Sequence, residues 1–323
     1  MSKIVFPKRL LALAGGIVFL IIFPLIVTYG YIIHIGNIIL LWTMLCLSLN
    51  IIFGYAGQLS LTHGGLFGMG GYTYAILATN FGMSFWLVLP ISGLAAAVIG
   101  LLIGIPSLRL RGPYFVIVTL GFNVILVAVI ENLGNLTGGV IGIMGIPFLQ
   151  SIRGPFFEID MSSKVSCYYL ILFFLILFGI ISYLIKSSLM GRSLTAIKAD
   201  EDLCRSLGIN SMSIKLQSFV LSSFLAGLGG ALYAGYMGII TPHDASFHVG
   251  FDALVYLTVG GIGTITGTII GPGIMIILSE VMQGLMEMRQ VFNGFALVLL
   301  IIFMPKGIAG AFQILWKRFP IIK

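Results

Sequence analysis

IIHIGNIILLWTMLCLSLNIIFGYAGQLSLTHGGLFGMGGY, residues 32–72, is the stretch on which the fold turns. Its first part, Ile32 to Phe53, is 22 residues long and carries no Asp, Glu, Lys or Arg. About 20 predominantly apolar residues in a helix span the hydrocarbon core of a bilayer, which is about 30 Å thick. From Gly54 to Tyr72 the pattern changes: seven glycines, with Gln58, Ser60, Thr62 and His63 between them, interrupt the apolar run. A crossing is followed here by a segment whose backbone is too open for ordinary helix packing against lipid.

Outward from this stretch the same signal repeats. Windows of spanning length run from Leu10 to Thr28, Phe85 to Ile105, Tyr114 to Ile130, Val165 to Ile185 and Leu216 to Tyr236. Shorter or glycine-broken apolar segments cover Leu66 to Thr79, Phe251 to Ile262, Ile265 to Leu285 and Val291 to Met304. With 59% hydrophobic and 8% charged residues, and a mean hydropathy of +1.13, the chain lacks the polar surface a water-soluble domain requires. Ten-residue alternating strands, the mark of a membrane barrel, are absent, so helices are the spanning elements. The expectation is an all-α, polytopic membrane bundle of about ten elements, including short glycine-interrupted helices, in one domain covering residues 1–323. The first window follows Lys3, Lys8 and Arg9, has no small-residue cleavage pattern before Tyr29, and is read as a retained helix.

Lysine and arginine collect in cytoplasmic segments. With the N-terminus inside and ten crossings, 14 of the 17 basic residues fall inside, leaving Arg153, Lys164 and Arg289 outside. Both termini are therefore expected in the cytoplasm, and the net charge of +7 reflects topology rather than a nucleic-acid partner. Two connections are long. Residues 131–164 are glycine-rich and read as an irregular external loop. Residues 186–215 hold five basic residues and the run Asp200, Glu201, Asp202. Ser193 and Asp200 are expected to cap two short helices there, the second ending at Gly208 with Leu203 and Leu207 on one face. Such a segment either lies on the lipid headgroups or docks a cytoplasmic partner.

The glycine run 54–72 has a counterpart, TVGGIGTITGTIIGPG, from Thr258 to Gly273. Paired glycine-interrupted segments point to a translocation path, because backbone freed at membrane depth must face protein or water. Close helix packing through small residues is the alternative for any one glycine. Ionisable residues inside the windows are scarce: Glu131, Asp244, Asp252, Glu280 and Glu287 fall at predicted ends or loops, and Asn50 and Asn123 are the notable polar residues within helices. That argues against a proton-coupled carrier and for energy supplied by a separate subunit.

Catalysis finds no support. No HExxH, phosphate-binding GxxxxGK[ST] or paired intramembrane carboxylates occur, and Ser60 with His63 in a glycine loop is not a nucleophile elbow. His34, His243 and His248 lack metal spacing, and Cys46, Cys167 and Cys204 read as small apolar residues.

Four segments carry a resemblance: LNIIFGYAGQLSLTHGGLFGMGGYTYA from Leu49, LRLRGPYFVIVTLGF from Leu108, GRSLTAIKADEDLCRSLGIN from Gly191, and GGIGTITGTIIGPG from Gly260. In this order, over nearly the whole chain, they resemble the LivM-type permease of branched-chain amino acid ABC importers. The resemblance implies a multi-pass subunit of the bacterial inner membrane. Its expected partners are a second related permease, two cytoplasmic ABC ATPases and an external solute-binding protein. It implies no cofactor in this chain, ATP and Mg being held by the ATPases. It also implies an ATPase-coupling role for Arg192, Lys198, Ala199, Asp200, Glu201 and Gly208, and a path-lining role for Gly57, Gln58, Ser60 and His63. Substitution at Glu201 or Gly208 is expected to spare folding yet uncouple transport. Related permeases import urea or short amides with much the same motifs, so that solute class stays open, as does an ion-coupled secondary carrier.

Overall fold

A computed structural model describes residues 20–27, 29–147, 152–153, 158–159, 163–282, 294, 307–308 and 310. Helix α1 (Gly30–Leu49) runs on into a π-helical stretch, Asn50–Tyr55. After an unwound segment come α2 (His63–Asn80), α3 (Phe85–Ser107) and α4 (Pro113–Asn132). Helix α5 (Lys164–Ser187) leads into two short helices, α6 (Leu189–Ala199) and α7 (Glu201–Ser206). Helix α8 (Ser211–Met237) precedes a 3-10 turn, Pro242–Ala245, then α9 (Phe247–Gly260) and α10 (Ile265–Val281).

Among the described residues five units are long and apolar enough to cross a membrane: Gly30–Tyr55, α3, α4, α5 and α8. The pair α9–α10, bent by 116°, makes a sixth when counted as one span. Of the first expected window only its last part is described, helical over residues 20–26, and the window from Val291 to Met304 lies outside the described residues apart from the helical Gly294.

Helix α8 packs against α1, α2 and α3, and its seam with α2 shows why the sequence there is so rich in glycine. A Cβ on Gly70 would stand 2.1 Å from the Gly227 carbonyl oxygen, and one on Gly230 would stand 1.8 Å from that of Phe67. The two backbones touch. Lipid gives little hydrophobic drive for helix association, so close van der Waals approach of this kind supplies it. Trp86, Leu87, Leu94, Val98 and Leu102 of α3 and Tyr114, Ile117 and Ile125 of α4 remain exposed, an apolar exterior suited to lipid.

Two expectations need correction. The loop 131–164 is not wholly irregular: β1 (Ile143–Met144) pairs antiparallel with β4 (Ile239–Ile240), and β2 (Ile152–Arg153) with β3 (Glu158–Ile159). Short extended pieces appear because backbone amides outside the helices must still find partners. In the segment 186–215, Ser188 rather than Ser193 caps α6, its side chain accepting from the Gly191 amide, while Asp200 caps α7 as its sequence suggests. Lys186 and Lys215 belong to the flanking long helices.

Asp244 lies in a loop, as expected, the 3-10 turn Pro242–Ala245. After α8 the chain turns back into the bundle. A Cβ on Gly68 would lie 2.2 Å from that of Ala245, and one on Gly64 would lie 2.3 Å from the Ser246 carbonyl oxygen. Gly68 is about 18 Å along α2 from its Asn80 end at 1.5 Å per residue. That loop packs against the middle of α2, so the half-buried Asp244 is carried toward the interior of the bundle.

Candidate functional site

Seven basic residues, Arg109, Arg111, Lys186, Arg192, Lys198, Arg205 and Lys215, belong to helix ends and links at one end of the bundle, here the basic end. Both glycine runs break at that end, and they meet. The Gly263 amide donates to Asn50 Oδ1 at 2.9 Å, and a Cβ on Gly54 would lie 3.0 Å from the Gly263 nitrogen. Asn50 opens the π-helical turn, a distortion that widens the helix and is frequent at functional sites. Its carboxamide fits there because Gly54 has no side chain: a Cβ would stand 1.9 Å from Asn50 Oδ1. Gly57, at φ +71°, then turns the chain toward α2.

Broken helices leave carbonyls without partners, and lipid offers none. Here lysines take them. Lys198 Nζ, from α6, donates to the Gly54 carbonyl at 2.9 Å, and Lys186 Nζ, from the last turn of α5, donates to the Gly263 carbonyl at 2.8 Å. Lys186 Nζ also stands 5.7 Å over the Tyr55 ring, a cation–π distance. Partial desolvation holds the Lys198 pKa below the usual lysine value. The two breaks and the α5–α6 corner thus form one junction. Deleting a charge-assisted hydrogen bond at a partly exposed group costs about 1 kcal/mol. Lys198→Met, which keeps the stem, is therefore expected to speed amide deuterium exchange in peptides covering residues 54–63 while leaving α3 unchanged.

The acidic run is divided by the structure. Asp202 is exposed and forms a two-point pair with Arg111, at 2.8 and 3.1 Å, which holds its carboxyl below the usual carboxylate pKa. Glu201 turns inward. Its carboxylate meets Lys215 at 2.7 Å, Arg205 at 3.0 Å and Arg111 at 3.5 Å, and the Lys215 side chain is only 2% exposed. Glu201 ties α7 to α8 and to the α3–α4 link, contacts that its substitution would remove. Arg192, Ala199, Asp200 and Gly208 are exposed, as are Leu203 and Leu207 at 58% and 72%. Two apolar side chains, Leu203 on α7 and Leu207 just past its end, thus stand out among the exposed Asp202, Arg205 and Ser206, with Gly208, at φ +80°, ending the turn.

The residues of the first break part company as well. Gly57 is exposed, Gln58 half-buried, and Ser60 and His63 are fully buried. His63 Nε2 lies 3.2 Å from Ser222 Oγ on α8, whereas Ser60 Oγ has no hydrogen-bond partner among the described residues. Ser60 and His63 do not act on each other. Helix α4 steadies the segment: Thr119 Oγ1 accepts from the Leu61 amide, and Asn123 accepts from the Gly65 amide at 2.7 Å and donates to the Ala245 carbonyl.

A cavity of about 20 Å³ lies between α1, α2, α8 and the re-entering segment, lined among others by Leu41, Trp42, Leu45, Phe67, Tyr233 and Asp244. Tyr233 donates its phenolic hydrogen to Asp244 Oδ1 at 3.1 Å, and Asp244 Oδ2 accepts from the Thr241 amide and hydroxyl at 2.9 and 2.8 Å. Sequence reasoning missed Lys186, Thr119 and Asp244 as site residues. Asn50 and Asn123 gave a signal, as lone carboxamides in apolar windows.

Comparison with known proteins places this geometry. The family model described as branched-chain amino acid transport system / permease component matches residues 31–304. The chain is 34% identical, over 93% of its own length and 75% of the relative's, to the high-affinity branched-chain amino acid transport system permease protein LivM of Escherichia coli K12. It is 25% identical, over 83% of its length and 91% of the relative's, to the LivH permease protein of Salmonella typhimurium. A probable LivM of Methanocaldococcus jannaschii is 24% identical over 73% of this chain and 77% of its own. No solved structure matches.

Proposed function

The chain belongs to the branched-chain amino acid transport permease family, and from that membership we propose the working arrangement of an ATP-driven importer subunit. The chain is the LivM-like member of a permease pair for branched-chain amino acids. It spans the bacterial inner membrane with about ten elements and with the basic end and both termini in the cytoplasm. Two ABC ATPases bind below it and hold ATP and Mg, an external protein delivers the solute, and this chain catalyses nothing. Residues 1–323 act as one permease domain.

The observation that carries this reading is the junction at the basic end. Exposed apolar Leu203 on α7 and Leu207 just past its end suit a protein groove better than water, and α7 is joined through α6 and Lys198 to the break at Gly54. A displacement of α6–α7 by the ATPases therefore reaches both glycine breaks, which is what alternating access requires of two states that differ in this contact. Arg192, Ala199, Asp200 and Gly208 present the surface, and Glu201 acts by positioning it.

The test is uptake of L-leucine into liposomes holding the assembled complex. Uptake is expected to need ATP and the binding protein and to survive collapse of ion gradients. Uptake by this chain without ATPases, following an ion gradient, would reject the reading, and transport of urea or acetamide in place of leucine would move it to the amide importers. Leu203→Ser with Leu207→Ser is expected to lower ATPase co-purification and uptake at least about tenfold, because truncating central apolar anchors removes most interface energy. Unchanged uptake would remove α7 from the interface.

A further inference from the structure

The cavity beside Asp244 has a chemistry of its own. A half-buried carboxylate, beside the exposed His243, sits on a turn of non-helical backbone that re-enters a helix bundle, and both features are costly in a membrane unless they serve a path. Around it stand the rings of Trp42, Phe67 and Tyr233 and the aliphatic side chains of Leu41 and Leu45, with Val249 of α9 opposite. Tyr233 packs against Phe67, their ring centroids 5.4 Å apart, and Trp42 against Tyr256 at 5.1 Å.

An anionic group among aromatic faces is a site for an organic cation, since ring faces and carboxylate attract it together. A metal ion is a poor fit, because hard cations demand six or more oxygen ligands and the other lining side chains here are hydrocarbon apart from the Trp42 indole and the Tyr233 hydroxyl. Asp244 accepts one hydrogen bond from Tyr233 and two from Thr241, and a carboxylate offers about four acceptor positions.

We infer that this cavity is the closed form of a solute site in which Asp244 receives the α-ammonium group of an apolar amino acid, with the side chain against Leu41, Leu45 and Val249. The inference rests on the importer reading and deepens it: it names ammonium-bearing solutes and excludes urea and neutral amides. The solute's carboxylate is left outside the cavity, whose lining holds no cation. At about 20 Å³ the cavity holds about one water, so loading requires its wall to withdraw. The wall on that side is the 3-10 turn and α9, which meet α2 at Gly64, Gly68 and Gly250, where a Cβ would stand 2.3 Å from the Ser246 carbonyl oxygen, 2.2 Å from the Ala245 Cβ and 2.8 Å from the Leu61 carbonyl oxygen, so loading requires the turn and α9 to move as a unit.

Asp244→Asn in the complete complex is the test. Asparagine still accepts from the Thr241 amide, so the turn persists, but the charge is gone. L-leucine uptake is expected to fall about tenfold or more, with subunit stoichiometry and binding-protein-stimulated ATP hydrolysis unchanged, and Asp244→Glu to restore part of it. Because Asp244→Asn can disturb assembly, Val249→Phe gives a second reading: it fills the cavity, leaves every Asp244 hydrogen bond in place, and is expected to block uptake. Wild-type uptake by either variant overturns the inference. A wild-type complex that imports no leucine at all defeats the importer reading instead, a distinct outcome.

Discussion

Glu201→Ala is expected to lower the folding stability of the permease by about 3–5 kcal/mol, the cost of leaving a buried charge without its partner. The orphan is Lys215, whose side chain is 2% exposed and whose ammonium lies 2.7 Å from Glu201. Its position aggravates the loss. Lys215 lies near the start of α8, where the helix dipole already disfavours a cation. The measurement is thermal unfolding of the detergent-solubilised protein, followed by tryptophan fluorescence. Asp202→Ala, one residue along, removes an exposed carboxylate from an exposed arginine, and such pairs contribute little. A Glu201→Ala, Lys215→Met double variant is expected to regain most of the loss, since replacing both members of a buried pair by apolar groups is often neutral or better. Equal melting of the two single variants would mean that Glu201 is not the anchor described here.

The second large effect is expected from a single methyl group. In Gly230→Ala the new Cβ would stand 1.8 Å from the Phe67 carbonyl oxygen. That atom is helix backbone and cannot rotate away, so α2 and α8 must separate. Overpacking of this kind costs about 3 kcal/mol or more, and failure to recover folded protein after solubilisation, read by size-exclusion chromatography, is the expected result. Gly229→Ala is the control. Its Cβ would meet nothing closer than 3.6 Å, and alanine is the better helix former by up to about 1 kcal/mol, so that variant is expected to be at least as stable as the wild type.

These two cases mark the limits of what the residues disclosed. Apolar windows of the right length identified α1, α3, α4, α5 and α8, because a bilayer sets helix length directly. The Asp200 cap was legible for a similar reason: it is a local hydrogen bond to amides two and three residues away. The inward turn of Glu201 was not, since its direction is set by Arg111 and Lys215, which are distant in sequence and reach it only once α3 and α8 are packed. Glycine carries two meanings that sequence does not separate. Gly57 and Gly263 bend the backbone at positive φ, whereas Gly70 and Gly230 allow close approach of straight helices. The Asp244 depth escaped for a third reason. Hydropathy places a residue by counting along the chain, and here the chain leaves α8 and returns.

Lys186 and Lys198 sit on either side of the corner between α5 and α6, where Gly191 packs so closely that a Cβ would lie 2.2 Å from the Ile185 carbonyl oxygen. Such a corner has almost no play. Because one stiff arm grips both breaks, a stroke that frees one carbonyl must strain the hold on the other in the same movement. If partner ATPases push on this arm as proposed, both holds are therefore expected to loosen together rather than one at a time.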